Sequence, residues 1–182
     1  MTGTTVKVSE IINNNFHEHN YLKYVLKGGR GSAKSTHIGF RVIMDIMRYP
    51  ISALVVRKVG NTLSESVYEQ LKECAEIMGV YQYFEFKVSP LQIKYKPRGN
   101  KIIKSLKVAK YPVALLWIEE LAEFKTEEEV QTIEQSVLRA ELPEGLHYSF
   151  FYSYNPPKRK QSWVNKKYNT HNISKNTYVH HS

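Results

Sequence analysis

Apolar positions along this chain of 182 residues switch between two spacings. The run 21–26 ends at a pair of glycines and reads as a strand, after which Ile38, Val42, Ile43, Ile46 and Met47 recur every three or four residues. That spacing predicts a helix, stopped by Tyr49-Pro50. Residues 51–56 form a short run rich in β-branched residues, as expected of a strand buried on both faces of a parallel sheet. Leu63, Val67, Leu71, Ala75 and Met78 mark a second helix, opened by a Thr62/Glu65 capping box and closed by Gly79. Leu91, Ile93 and Tyr95 alternate with polar residues, residues 97–100 turn the chain, and 102–106 return, giving a hairpin or two sheet-edge strands. Residues 113–118 are wholly apolar. Thr126 and Glu129 predict a capping box opening a third helix through Val130, Ile133, Val137 and Leu138, and 147–154 read as an aromatic-rich strand halted by Asn155-Pro156-Pro157. Residues 1–20 are polar, and 158–182 are basic and weakly periodic. Strands alternating with helices predict one α/β domain with a mainly parallel central sheet flanked by helices.

Between the first strand and the first helix lies Lys27-Gly28-Gly29-Arg30-Gly31-Ser32-Ala33-Lys34-Ser35-Thr36. A strand, a glycine-rich turn and a helix opening on Lys-Ser make a phosphate-binding loop, because successive backbone N–H groups and the helix N-terminus point at one anion. Gly28 to Ser35 has the spacing of the motif, with Ala33 where a second glycine is usual. One methyl group is tolerated there if the position is not left-handed. Lys34 is the expected partner of the β- and γ-phosphates, and Ser35 offers its hydroxyl to Mg²⁺. Gly28 through Thr36 are therefore the candidate nucleotide-binding residues, with ATP and Mg²⁺ as ligands.

The apolar strand 113–118 runs into Glu119-Glu120. A buried strand ending in acids delivers one carboxylate to the metal and a second to the attacking water. Glu119 is assigned to magnesium and Glu120 to water activation, with the order of the two roles left open. Ser153 and Asn155, at the end of a later strand, are candidate sensors of the γ-phosphate, although Asn-Pro-Pro is equally a turn signal.

Composition narrows the partners. No apolar run approaches the ~20 residues needed to span a bilayer, no secretory leader is evident, and the single cysteine, Cys74, has no partner for a disulfide or a Cys-rich metal site. The net charge of +9 is unevenly placed. Lys87, Lys94, Lys96, Arg98, Lys101, Lys104, Lys107 and Lys110 occur with no acid among them, and so do Lys158, Arg159, Lys160, Lys166, Lys167 and Lys175. Such segregation points to a polyanion, most simply nucleic acid, or to a solvated basic surface.

With residues 28–36, Arg57-Lys58, 116–120 and 153–156 in this order and spacing, the chain resembles the ATPase domain of a phage terminase large subunit, over roughly residues 20–170. The resemblance implies a P-loop NTPase of the ASCE type that hydrolyses ATP to move double-stranded DNA into a procapsid in the host cytoplasm. It implies a Walker A loop at Gly28–Ser35, a Walker B acid at Glu119, a catalytic Glu120 and a coupling motif at 153–155. Arg30 matches the family's Walker A arginine, which stabilises the transferred phosphoryl group in its own subunit or a neighbour's; Arg57 is a weaker candidate. The implied partners are duplex DNA, a portal protein, a small terminase subunit and further copies in a ring, with no membrane. A complete large terminase adds a nuclease domain with clustered acids; no Asp or Glu follows Glu144, so residues 1–182 are expected to be the ATPase domain alone, isolated or as a fragment. A helicase-like ATPase and a nucleotide kinase share parts of this pattern.

Overall fold

The computed structural model describes residues 21–29, 31–58, 63–104, 106, 110–169 and 173–181. The expected Thr62/Glu65 capping box, the polar segment 1–20 and Arg30 lie outside the residues and side chains described.

Strand β1 (Lys23–Lys27) leads into helix α1 (Lys34–Arg48), followed by β2 (Ser52–Val56) and α2 (Leu63–Ile77). Gly79 ends α2 as expected, at φ 68°, with the Val80 N–H reaching back to the Ala75 carbonyl at 2.9 Å. Then come β3 (Phe84–Val88), β4 (Leu91–Tyr95), β5 (Lys101–Ile103), β6 (Val113–Glu119), α3 (Glu127–Leu138), β7 (Ser149–Tyr154), α4 (Trp163–Tyr168) and β8 (Thr177–His181). They form one sheet in the order β3-β4-β5-β2-β6-β7-β1-β8, and β4 alone runs against the rest. The expected α/β architecture with a mainly parallel sheet is the one observed.

Alternation along the central strands divides the core. Tyr24, Leu26, Ala53, Val55, Leu115, Trp117 and Phe151 face α1 and α2, while Val25, Leu54, Leu116, Ile118, Phe150 and Tyr152 pack with α3 and α4. Helices α1 and α2 touch closely where Gly39 meets Cys74: a Cβ built on Gly39 would stand 2.6 Å from the Cys74 sulfur. Cys74 is a buried apolar residue, as expected, and burial pushes its thiol up to about 12.

Three features differ from expectation. Phe84–Val88 forms an extra strand, antiparallel to β4, because Phe84, Phe86 and Val88 alternate as strand residues do. The basic segment from 158 onward contributes α4 and β8 to the fold, and β8 pairs with β1 in parallel. Thr126 caps α3 without a side-chain hydrogen bond; the Glu129 carboxylate accepts instead from the Lys125 N–H at 3.1 Å and pairs with Lys58 at 2.8 Å.

Candidate functional site

The loop after β1 begins buried and ends exposed. The Gly28 N–H donates to the Tyr154 carbonyl at 3.3 Å, so this amide joins β1 to β7. Gly31 has φ 81°. Ala33 has φ 56° and ψ 16°, so it is left-handed, and the condition under which its methyl group was expected to be tolerated is not met. Its carbonyl accepts the first helical bond of α1, from the His37 N–H at 3.0 Å. Left-handed alanine costs ~1–2 kcal/mol, affordable only where the loop geometry is over-determined.

Lys34 points back across this loop. Its ammonium donates to the Gly28 and Gly29 carbonyls at 3.0 and 2.8 Å, to the Ser32 hydroxyl at 2.8 Å and to the Asn155 amide oxygen at 3.3 Å. Burial holds its pKa below the usual lysine value, and the nearby Glu120 carboxylate opposes that shift.

Strand order decides what meets this lysine. Because β7 lies between β1 and β6, Ser153 sits in register with both Leu26 and Glu119, and the next turn carries Asn155 between the loop and the acids. The Asn155 amide donates to Glu120 Oε1 at 3.3 Å while its oxygen receives Lys34, so one side chain bridges cation and carboxylate. Glu120 itself is left-handed, at φ 51°, at the abrupt end of β6. Beside it, the Ser35 hydroxyl donates to Glu119 Oε1 at 3.3 Å. Burial raises the Glu119 pKa, against the pull of Arg57 and the Ser35 hydroxyl. A serine hydroxyl and a carboxylate in contact are hard oxygen donors of the kind Mg²⁺ takes alongside phosphate and water, so these residues fit that ion. Among the described residues no three His, Cys, Asp or Glu side chains form a metal cage.

Residues 31–36 of the loop join Gln70, Glu120, Ser153, Tyr154 and Asn155 around a cleft of about 410 Å³. The structure therefore brings together Gly31, Ser32, Ala33, Lys34, Ser35, Thr36, Glu120, Ser153 and Asn155, with Glu119 adjoining through Ser35. The Ser153 hydroxyl is buried and accepts from the Trp117 indole N–H at 3.2 Å.

The profile of the family described as "Phage terminase large subunit" matches residues 19–182. The chain belongs to this family. The large terminase subunit of Bacillus phage SPP1 is 59% identical over 172 residues, covering 89% of this chain and 41% of that protein. Among solved structures, the large terminase of a thermophilic bacteriophage in complex with ATP-γ-S matches with a TM-score of 0.65 at 16% identity, over 97% of this chain and 41% of that one. The N-terminal domain of the DNA packaging ATPase from bacteriophage phi29 matches with a TM-score of 0.62 at 12% identity, over 92% of this chain and 93% of that one. These structures share the fold. The chain spans about two-fifths of the length of the curated relatives it matches.

Within this terminase fold, three residues near the acids had no place in the sequence reading. Glu123, in the 3₁₀ turn after β6, holds Arg57 through two bonds of 3.0 and 3.3 Å, and its hydrogen bond raises the Arg57 pKa. Arg57, expected as a weaker arginine candidate, thus lies beside Glu119 and Glu120. Ser66 on α2 donates to Glu119 Oε2 at 3.4 Å and receives Arg57 at 3.4 Å. Gln70, one turn later, lines the cleft. The available signal was their i, i+4 spacing beside the apolar stripe of α2, which puts both on one edge of the helix.

Proposed function

We propose that this chain binds ATP with magnesium and hydrolyses it to drive double-stranded DNA into a viral procapsid. The observation that carries the reading is the Asn155 bridge, which ties the loop lysine to Glu120 at the rim where β1, β7 and β6 end. The SPP1 relative and the ATP-γ-S-bound terminase of the thermophilic phage support it.

In this reading the loop amides and Lys34 hold the phosphates, and Ser35 and Glu119 hold the cation. A magnesium ion held there would supply charge neutralisation to the bound phosphates. Glu120 accepts hydrogen bonds from the attacking water and aims it at the γ-phosphorus, so its left-handed backbone serves to turn the carboxylate toward the loop. Asn155 holds Glu120 in that direction and exchanges partners when the γ-phosphate leaves, which makes it the coupling residue with Ser153 behind it. Arg30 and Arg57 stabilise the spreading negative charge, from one subunit or two. The working partners are duplex DNA, portal protein, small terminase subunit and further copies in a ring, in the host cytoplasm. Of the described helices, none is long and apolar enough to cross a membrane.

Phosphate release in the presence of duplex DNA and empty procapsids tests this. Glu120→Gln should lower turnover by about 10²–10⁴-fold while leaving ATP binding intact. A Glu120→Gln protein that still hydrolyses ATP removes the assignment.

A further inference from the structure

Helix α2 covers one face of the β3–β5 end of the sheet. Phe84, Ile93 and Ile102 pack beneath Val67, Tyr68 and Leu71 there, with Phe86, Leu91 and Tyr95 at the margin. On the other face, among the described residues, Ile103 alone of these three strands joins the core beneath α3 and α4. Register places two rows of side chains on that face: Glu85, Lys94 and Lys101 in one, Lys87, Gln92 and Ile103 in the other, with Gln92 and Ile103 buried and Lys87 exposed.

Lys94 and Lys101 stand directly opposite each other, a pairing that is unfavourable in a sheet unless an anion lies between or above them. Glu85 is the only acid among residues 84–104, and it is shared between Lys87 at 3.2 Å and Lys94 at 3.9 Å. The two rows therefore keep a positive excess, which the exposed Lys104 extends toward the rim where β2 and β6 end. Among the described residues, the exposed apolar side chains of this end are Tyr81, Tyr83, Val88 and Leu106: Tyr81 stacks on Phe86 and Val88 pairs with Leu91 on the α2 side, while Tyr83 and Leu106 stand just before β3 and just after β5.

A face whose charged rows are chiefly lysine does not suit a protein partner, whose interface core excludes lysine and centres on buried aromatic or aliphatic groups. It suits a phosphodiester backbone, which needs cations and no base-reading geometry. We propose that the face of β3–β5 opposite α2, through Lys87, Lys94 and Lys101, is a docking surface for the backbone of duplex DNA. This rests on the reading that the chain works on duplex DNA, and it names the surface that does the holding.

The test is binding of a short labelled duplex over a salt series, followed by fluorescence anisotropy. Lys87→Gln/Lys94→Gln/Lys101→Gln should weaken affinity at low salt by roughly tenfold or more and lower the slope of log K against log salt by about 2–3. Retained binding of a fluorescent ADP analogue shows that the triple variant is folded. Glu85→Gln should tighten binding severalfold by removing the one acid. A triple variant with wild-type affinity and slope overturns the placement while leaving the DNA-motor reading intact. A wild-type chain that hydrolyses ATP but does not bind duplex overturns both. An unchanged slope with loss of self-association in sedimentation makes the face a contact between copies and overturns the proposal.

Discussion

Ser35 and Glu119, 84 positions apart in the chain, are joined by a 3.3 Å hydrogen bond from hydroxyl to carboxylate. The contact brings the start of α1 to the end of β6 across the intervening strand, and it holds a half-buried acid where its charge is poorly solvated.

The first prediction concerns that acid. Burial raises the Glu119 pKa in the folded chain, so between the unfolded and folded values the native state holds more protons and stability falls as pH rises. Glu119→Gln should therefore raise the metal-free Tm at neutral pH, by ~2–4 °C for each kcal/mol recovered, and flatten its dependence on pH across that window. The same substitution should abolish the gain in Tm that magnesium nucleotide gives the parent. Thermal melts with and without magnesium ATP-γ-S, over a pH series, measure both effects.

Ala33 leads to a second prediction. Glycine removes a left-handed cost of ~1–2 kcal/mol but loosens the unfolded chain by ~0.4–1 kcal/mol, so Ala33→Gly should be more stable by roughly 0.5 kcal/mol. Ala33→Val, β-branched at φ 56°, should be less stable than the parent and bind nucleotide more weakly. Denaturant unfolding and ADP titration decide the order; a valine variant equal to the parent would show that the left-handed turn is not retained in solution.

Asn155→Ala removes the bridge between Lys34 and Glu120 without touching the loop backbone. ATP affinity should change by less than about threefold while kcat falls by ~10–100-fold, the pattern of an interaction used in the transition state. Asn155→Asp should be no better than alanine, because its second carboxylate stands against Glu120. Single-turnover hydrolysis separates these outcomes from slow product release.

Ser153→Ala leaves the buried Trp117 indole N–H without its acceptor. An unsatisfied buried donor costs ~1–3 kcal/mol, so Tm should fall, whereas Trp117→Phe/Ser153→Ala together should recover part of that hydrogen-bonding penalty. Melting of the single and double variants checks this coupling.

The loop, the paired acids and the alternation of strands with helices were legible in the sequence because each is a short pattern with a strong local cause: glycines, an apolar run, a period. What stayed hidden depends on partners distant in the chain. The segment 177–181 reads as a polar, histidine-rich stretch until β1 supplies the edge it pairs with. Phe84–Val88 carries the alternation of a strand, but Glu85 and Lys87 on its exposed face mask it. Ser66, Gln70 and Glu123 look like ordinary polar residues of a helix and a turn, and only the fold shows that they surround Glu119, Arg57 and the cleft. Ser153 and Asn155 were legible as a position, not as contacts: that one faces Trp117 and the other Glu120 depends on which strand separates β1 from β6.

Gly39 offers no side chain to the sulfur of Cys74, and the two helices meet there with no slack. Any side chain placed at position 39 would have to part α1 from α2, so the distance between the phosphate loop at the head of α1 and the Ser66–Gln70 edge of α2 depends on that one missing methyl group.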